Sequence, residues 1–105
     1  MSTFQLDPNQ VAYGVPKMGP TQIFTLSNSS VQSTAFGAST TMVRISCSLG
    51  HCHFQIGTNP TASITTSPMM PNNFSEIIRV NAGDKIAVMK DATVAASTFS
   101  VTELV

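Results

Sequence analysis

Apolar and polar residues alternate in short runs along most of this chain, and Gly, Pro, Asn and Ser separate the runs. A period of two is typical of β-strands with one buried face, because successive side chains point to opposite sides of a sheet. Few stretches show the period of an amphipathic helix. The pattern therefore predicts an all-β chain, with strands at residues 21–26, 31–35, 41–47, 52–56, 76–81, 85–90 and 98–104.

The same alternation predicts which side chains form the core. In strand 41–47, one face carries Val43, Ile45 and Cys47, while the other carries more polar residues. Applied to the other strands, the rule adds an inward set of Cys52, Phe54, Ile56, Ile78, Val80, Ile86, Val88, Phe99 and Val101.

Two turns predict hairpins. Four residues, 48–51, separate strands 41–47 and 52–56, which is short enough to join antiparallel neighbours. Residues 82–84 separate strands 76–81 and 85–90, where Gly83 supplies a turn conformation and the Asp84 carboxylate bonds nearby backbone. Hairpins plus one long crossing indicate Greek-key topology, so we expect an antiparallel β-sandwich or jelly-roll-like fold.

Prolines and glycines mark two segments as irregular. Segment 1–20 holds three of the six prolines and two of the six glycines, which disfavour a helix and a central strand. We predict an extended N-terminal arm at 1–20, with a short edge strand near 10–13, followed by a single β-sandwich domain at 21–105. Segment 57–75 holds the other three prolines and is predicted to be a long irregular loop with a binding or subunit-contact role.

Charge is scarce in this chain. Charged residues make up 10% of the sequence, against about a quarter in an ordinary domain, and 13 Ser and 13 Thr take their place. The net charge is zero with no basic stripe, so neither nucleic acid nor an anionic membrane is expected as a partner. Low charge also weakens repulsion between copies and favours assembly. Residues 1–10 lack the features of a secretory signal, and no apolar run approaches the roughly 20 residues that cross a bilayer.

Cys47, His51, Cys52 and His53 form the one dense group of chemically capable residues. Structural zinc needs a second, distant ligand pair that the chain lacks, and alternation places Cys52 inside and His53 outside. A nucleophilic thiol needs an accessible low-pKa site and an oxyanion hole, for which the sequence shows no signal. A Cys47–Cys52 disulfide would be strained and kept reduced in the cytosol, so buried free thiols are favoured.

The carboxylates are isolated from one another in sequence and lack the spacing of known acid–base or metal motifs. Solvated surface or turn positions explain them, and Gly-rich phosphate loops are absent. We therefore predict that the protein is not an enzyme and has no catalytic residue, metal or cofactor. The five carboxylates are Asp7, Glu76, Asp84, Asp91 and Glu103.

Apolar residues in otherwise polar segments are the candidate contacts with a partner or another subunit. Met69 and Met70 either tuck onto the sandwich edge or form an exposed patch. Phe36 and Phe74 flank loops and favour core positions. The full set of candidate contacts is Tyr13, Pro16, Met18, Met69, Met70 and Phe74.

Four segments together resemble a known group of proteins: Val-Arg-Ile at 43–45, Phe-Gln-Ile-Gly-Thr-Asn-Pro-Thr-Ala at 54–62, Arg-Val-Asn-Ala-Gly-Asp-Lys-Ile-Ala-Val at 79–88 and Ser-Val-Thr-Glu-Leu at 100–104, with a proline at 71. They resemble small β-sandwich decoration, or cement, proteins of tailed-bacteriophage virions. The resemblance implies a virion structural protein, made in the host cytoplasm, that binds the major capsid protein on the outer head surface as a homotrimer and stabilises the shell.

Three alternatives stay open. A tail or fibre attachment module is nearest to the leading hypothesis. A carbohydrate- or surface-binding sandwich would normally display Trp or several Tyr, whereas this chain has no Trp and one Tyr. A cupin-like, metal-dependent enzyme would need more His and a carboxylate that converge on one barrel.

Overall fold

Eight antiparallel strands form two facing sheets in the computed structural model, which describes residues 17–105. No membrane-spanning helix occurs within that range. The strands are β1 (Met18–Thr25), β2 (Val31–Gln32), β3 (Met42–Ser48), β4 (Cys52–Gly57), β5 (Met69–Met70), β6 (Phe74–Arg79), β7 (Lys85–Lys90) and β8 (Thr98–Leu104).

The strand order is that of a jelly roll. The first sheet has the order β1-β8-β3-β6, and the second has the order β2-β7-β4-β5. Two four-stranded antiparallel sheets with this strand order, in which most connections cross from one sheet to the other, make a double Greek key. The prediction of an all-β sandwich is therefore confirmed.

The core lies between the two sheets, where the predicted inward residues meet. Val43 and Ile45 of the first sheet and Ile86 and Val88 of the second are fully buried, as is Phe99. Burying a side chain of this kind stabilises the fold by about 1.5–3 kcal/mol. The alternation assigned the faces correctly, and the inward residues at the sheet margins, Ile56 and Ile78, are partly buried against this core.

Both predicted hairpins are wrong. Strand β3 pairs with β6 and β8 in the first sheet, whereas β4 pairs with β5 and β7 in the second, so residues 49–51 carry the chain between sheets. The reason lies at Gly50, where a Cβ would meet the Ala96 carbonyl oxygen and lie 2.9 Å from Val94 Cβ. Ser97 Oγ also donates to the Gly50 carbonyl at 2.9 Å. These contacts hold the turn against the 91–97 loop and lead the chain away from β3.

The turn at residues 81–84 also crosses between sheets, from β6 to β7, although its predicted chemistry is confirmed. Gly83 has a φ of 82°, in the left-handed region that glycine tolerates. The Asn81 amide donates to Asp84 Oδ2 at 2.9 Å, and the Gly83 amide donates to the Phe36 carbonyl at 3.2 Å. Phe36 is buried, as predicted, and anchors this corner.

Some strand limits differ from the predicted ones. Strands β7 and β8 have the predicted limits. Strand β2 ends at Gln32, three residues earlier than predicted, although backbone hydrogen bonds from residues 33–36 to residues 84–86 continue the pairing. The predicted loop 57–75 contains β5 and the start of β6. A two-residue strand between Pro68 and Pro71 is too short to produce a period-two signal, and so the sequence pattern missed it.

Most of the predicted arm lies outside the described residues, and so does its expected edge strand at 10–13. Strand β1 begins at Met18, so the last three residues of segment 1–20 are strand. The Lys17 amide donates to the Val105 carbonyl at 3.0 Å, and the Val105 amide donates back to the Lys17 carbonyl at 2.8 Å. The first sheet therefore begins beside the last residue of the chain.

Candidate partner-binding surface

Three exposed apolar side chains lie at the end of the sandwich where β3 finishes. We call them the end cluster: Leu49, Met69 and Phe74. The Asn73 amide donates to the Cys47 carbonyl at 3.1 Å, and the Asn72 amide donates to His51 Nδ1 at 2.9 Å. These bonds hold the segment between β5 and β6 against the turn that carries Leu49.

Leu49 has a backbone conformation that a leucine rarely adopts. Its φ is 73°, in the left-handed region, and its side chain is 70% exposed. A non-glycine residue in this region costs about 1–2 kcal/mol, because Cβ approaches the following carbonyl oxygen. The buried Gly50 beside it fixes the turn, so the surrounding structure imposes this conformation. Such strain is concentrated at sites of function.

The predicted contact residues within the described range occupy different environments. Met18, Met69 and Phe74 are exposed, which leaves their side chains available to a partner. Met70 is fully buried in the core. The two methionines therefore differ in exposure, because alternation in β5 points Met70 inward and Met69 outward. Two further predicted contacts, Tyr13 and Pro16, lie outside the described residues.

The outer face of the first sheet is rich in hydroxyls. Thr21 and Thr102 share a hydrogen bond of 2.8 Å, and Ser46 and Ser100 share another of 2.8 Å, each between adjacent strands. At the margins of this face, Ile23 of β1 is 70% exposed and Ile77 of β6 is 60% exposed. The face thus carries paired hydroxyls on its central strands and an exposed isoleucine on each edge strand.

A shallow groove lies on this face beside β6, lined by Thr41, Met42, Ile77 and Arg79. Arg44 lies opposite Ile77 in the β3–β6 register and shares the same face. Within residues 17–105, neither arginine pairs with a carboxylate. The groove therefore combines an apolar floor with uncompensated positive charge.

His53 and Asp91 form a partly buried hydrogen-bonded pair on the outer side of the second sheet. His53 Nε2 lies 2.7 Å from Asp91 Oδ1, and Nδ1 lies 3.1 Å from the Ser67 carbonyl oxygen. These two contacts hold the orientation of the His53 ring from both sides. Hydrogen bonds from the Thr93 hydroxyl and from His53 hold the pKa of Asp91 well below its usual range. His53 points outward, as predicted, but loop 58–68 covers it.

The two cysteines are free thiols buried between the sheets. Cys47 Sγ donates to the Pro71 carbonyl at 3.0 Å. Burial raises the pKa of both thiols, and for Cys52 the neighbouring Cys47 adds to the rise. Both groups are therefore held as thiols rather than as nucleophilic thiolates.

The expectation that every carboxylate is solvated or in a turn is wrong for Glu103. Its side chain is buried at the inner edge of β8, where Oε1 accepts from Thr40 Oγ1 at 2.6 Å and from the Gly37 amide at 2.9 Å. The partners lie more than 60 residues away in sequence. Glu103 thus ties the 37–40 turn to the last strand.

Sequence reasoning missed Leu49 and the His53–Asp91 pair as features of the surface. A leucine before a glycine carries no signal of a left-handed backbone, and residues 38 positions apart give no spacing motif. Ile77 could have been found, because assigning Ile78 and Val80 to the core leaves Ile77 on the outer face.

No family model matches this sequence, and no curated protein matches it. Among solved structures, the chain is similar to the crystal structure of Fe(II) HppE, with a TM-score of 0.54 and 8% identity. The match covers 79% of this chain and 42% of that protein, so this chain spans less than half of its length. At this identity, the likeness shows a shared fold alone.

The iron in that structure raises the question of whether residues here fit a metal centre. Within residues 17–105, no three His, Cys, Asp or Glu side chains come together in a way that could hold a metal ion. His53 uses both ring nitrogens in hydrogen bonds, and His51 Nδ1 accepts from a backbone amide. The described residues do not fit an iron site.

Proposed function

We propose that this protein is a bacteriophage virion structural protein that binds the major capsid protein on the outer head surface and stabilises the shell as a homotrimer. The end cluster carries the proposal, because Leu49 keeps an exposed apolar side chain on a strained backbone. A destabilising backbone conformation that exposes an apolar side chain is expected where that side chain contacts a protein partner.

Two further observations support a structural role. Jelly rolls occur in viral capsid proteins, as well as in lectins and cupins. The surface has few charges and many hydroxyls, so electrostatic repulsion between closely packed subunits is weak. The sequence resemblance to decoration proteins supplies the specific partner.

Cosedimentation with expanded capsids of the phage that encodes this chain tests the proposal. We expect the purified protein to be a trimer in analytical ultracentrifugation and to pellet with the shells at saturable stoichiometry. A monomer that stays in the supernatant would contradict the proposal.

A matched pair of substitutions tests the end cluster itself. Asn tolerates the left-handed region, so Leu49→Asn keeps the turn and removes the apolar side chain. We expect shell affinity to fall about tenfold or more, which corresponds to about 1.4 kcal/mol. Ile23→Asn removes an equally exposed apolar side chain from β1 and should leave affinity unchanged. Equal affinity of Leu49→Asn and the unmodified protein would remove the end cluster from the interface.

A further inference from the structure

Strand β6 is the longest regular open edge in the described part of the chain. It pairs with β3 along all six residues, without proline or a register shift, and no strand between residues 17 and 105 lies on its other side. The opposite edge, β1, contains Pro20 and a register shift between Met18 and Thr21. The edge strands of the second sheet, β2 and β5, have two residues each. Proteins commonly protect sheet edges by shortening, proline, bulges and inward-pointing charges, and β6 has only the last of these, at Glu76.

The side chains next to this edge determine which residues a strand added to β6 must carry. Ile77 and Met42 form the apolar part of the groove, and Arg79 lies two residues from Ile77 on the same face. Both carboxylates of the described part of the first sheet, Glu76 and Glu103, are placed on the inner side by the register. Positive charge on the outer face therefore has no acidic neighbour among the strands of residues 17–105.

We propose that the β6 edge binds an extended segment of a partner protein that carries an apolar side chain and a carboxylate two residues apart. The added strand forms main-chain hydrogen bonds with β6, as in other cases of β-strand addition. Because side chains two residues apart share a face, the apolar one packs on Ile77 and the carboxylate pairs with Arg79. The identification of the partner as the major capsid protein rests on the proposed function. The binding chemistry of the β6 edge is independent of that function.

A fluorescein-labelled peptide, Thr-Val-Thr-Asp-Thr-Val-Thr, is the probe for this site, with fluorescence anisotropy as the readout. We expect saturable binding that weakens at least tenfold when Arg79→Glu reverses the charge. Replacing the peptide Asp by Lys should weaken binding to the unmodified protein and restore binding to Arg79→Glu. Lys17→Glu, which reverses a charge beside β1, is the control and should bind the original peptide normally.

N-methylation of alternate peptide amides separates strand addition from side-chain contact. The methylated peptide keeps its side chains and loses main-chain donors, so we expect no binding. Normal binding of the methylated peptide, or equal binding by Arg79→Glu and the unmodified protein, would overturn the proposal. Absence of saturable binding to the original peptide would also overturn it.

Shell binding distinguishes failure of this inference from failure of the proposed function. If Arg79→Glu pellets with capsids as well as the unmodified protein does, the shell does not supply the added strand and the virion role stands. If the unmodified protein binds the peptide but not the shells, the virion role is wrong and the edge site stands.

Discussion

At the scale of single residues, the His53–Asp91 pair joins three parts of the fold. His53 lies in β4, its Nδ1 bonds the carbonyl of Ser67 in the long loop, and Asp91 follows β7. His53 is buried, so breaking either bond leaves a ring nitrogen without a partner, which costs about 1–3 kcal/mol for a buried polar group. These bonds therefore hold loop 58–68 over the second sheet, which also sets the position of β5.

The lowered pKa of Asp91 predicts an acid-sensitive part of the stability. In the unfolded chain this carboxyl titrates near pH 3.9, while in the folded protein it titrates lower. The contribution is therefore complete above about pH 4 and is lost as the pH falls toward the folded pKa. We expect the free energy of unfolding, measured by urea denaturation, to fall less steeply between about pH 4 and pH 2 in Asp91→Asn than in the unmodified protein. Parallel pH curves for the two proteins would contradict the assignment.

Residue-scale features also mark where the sequence pattern loses its predictive value. Period-two alternation identified Val43, Ile45 and Phe99 as core residues, because strand geometry alone decides which way they point. Alternation points Glu103 inward with Phe99 and Val101, but its charge led to the expectation of a solvated position, because the hydrogen bonds that satisfy its buried carboxylate come from a distant turn. Side-chain direction is local information, whereas burial of a polar group depends on tertiary partners.

At the scale of elements, the turn between β3 and β4 sets both the topology and the end cluster. Gly50 packs under the 91–97 loop without room for a side chain, and the turn it fixes presents Leu49. Its three-residue length fits a hairpin equally well, so the sequence pattern alone did not distinguish a hairpin from a crossing between sheets. The topology is decided by contact with Ala96 and Ser97; Ser97 lies 47 residues after Gly50 in the chain.

Two glycine substitutions test the packing of this turn. Gly50→Ala places a Cβ against backbone, so we expect the free energy of unfolding to fall by about 1–3 kcal/mol, as in overpacked cores. Gly57→Ala is the matched control, because a Cβ there meets nothing within 4 Å. Removing backbone freedom from the unfolded chain should leave that variant unchanged or stabilised by up to about 1 kcal/mol. Equal stability of the two variants in urea denaturation would show that the turn is not tightly packed.

At the scale of the whole molecule, the jelly roll places its two candidate contact regions at opposite ends of β6. The end cluster includes Phe74, the first residue of the strand, and the groove includes Arg79, its last. One partner surface running along this strand can therefore reach both regions. The sandwich class was predictable from strand alternation. The order of the strands was not, because the packing of the loops decides in which sheet each strand lies.

Electron cryomicroscopy of expanded capsids incubated with the purified protein tests this arrangement most directly. We expect added density on the outer head surface into which the jelly roll fits, with Leu49 and the β6 edge toward the shell. Bare shells at saturating protein, or density with the β6 edge turned toward solvent, would contradict it.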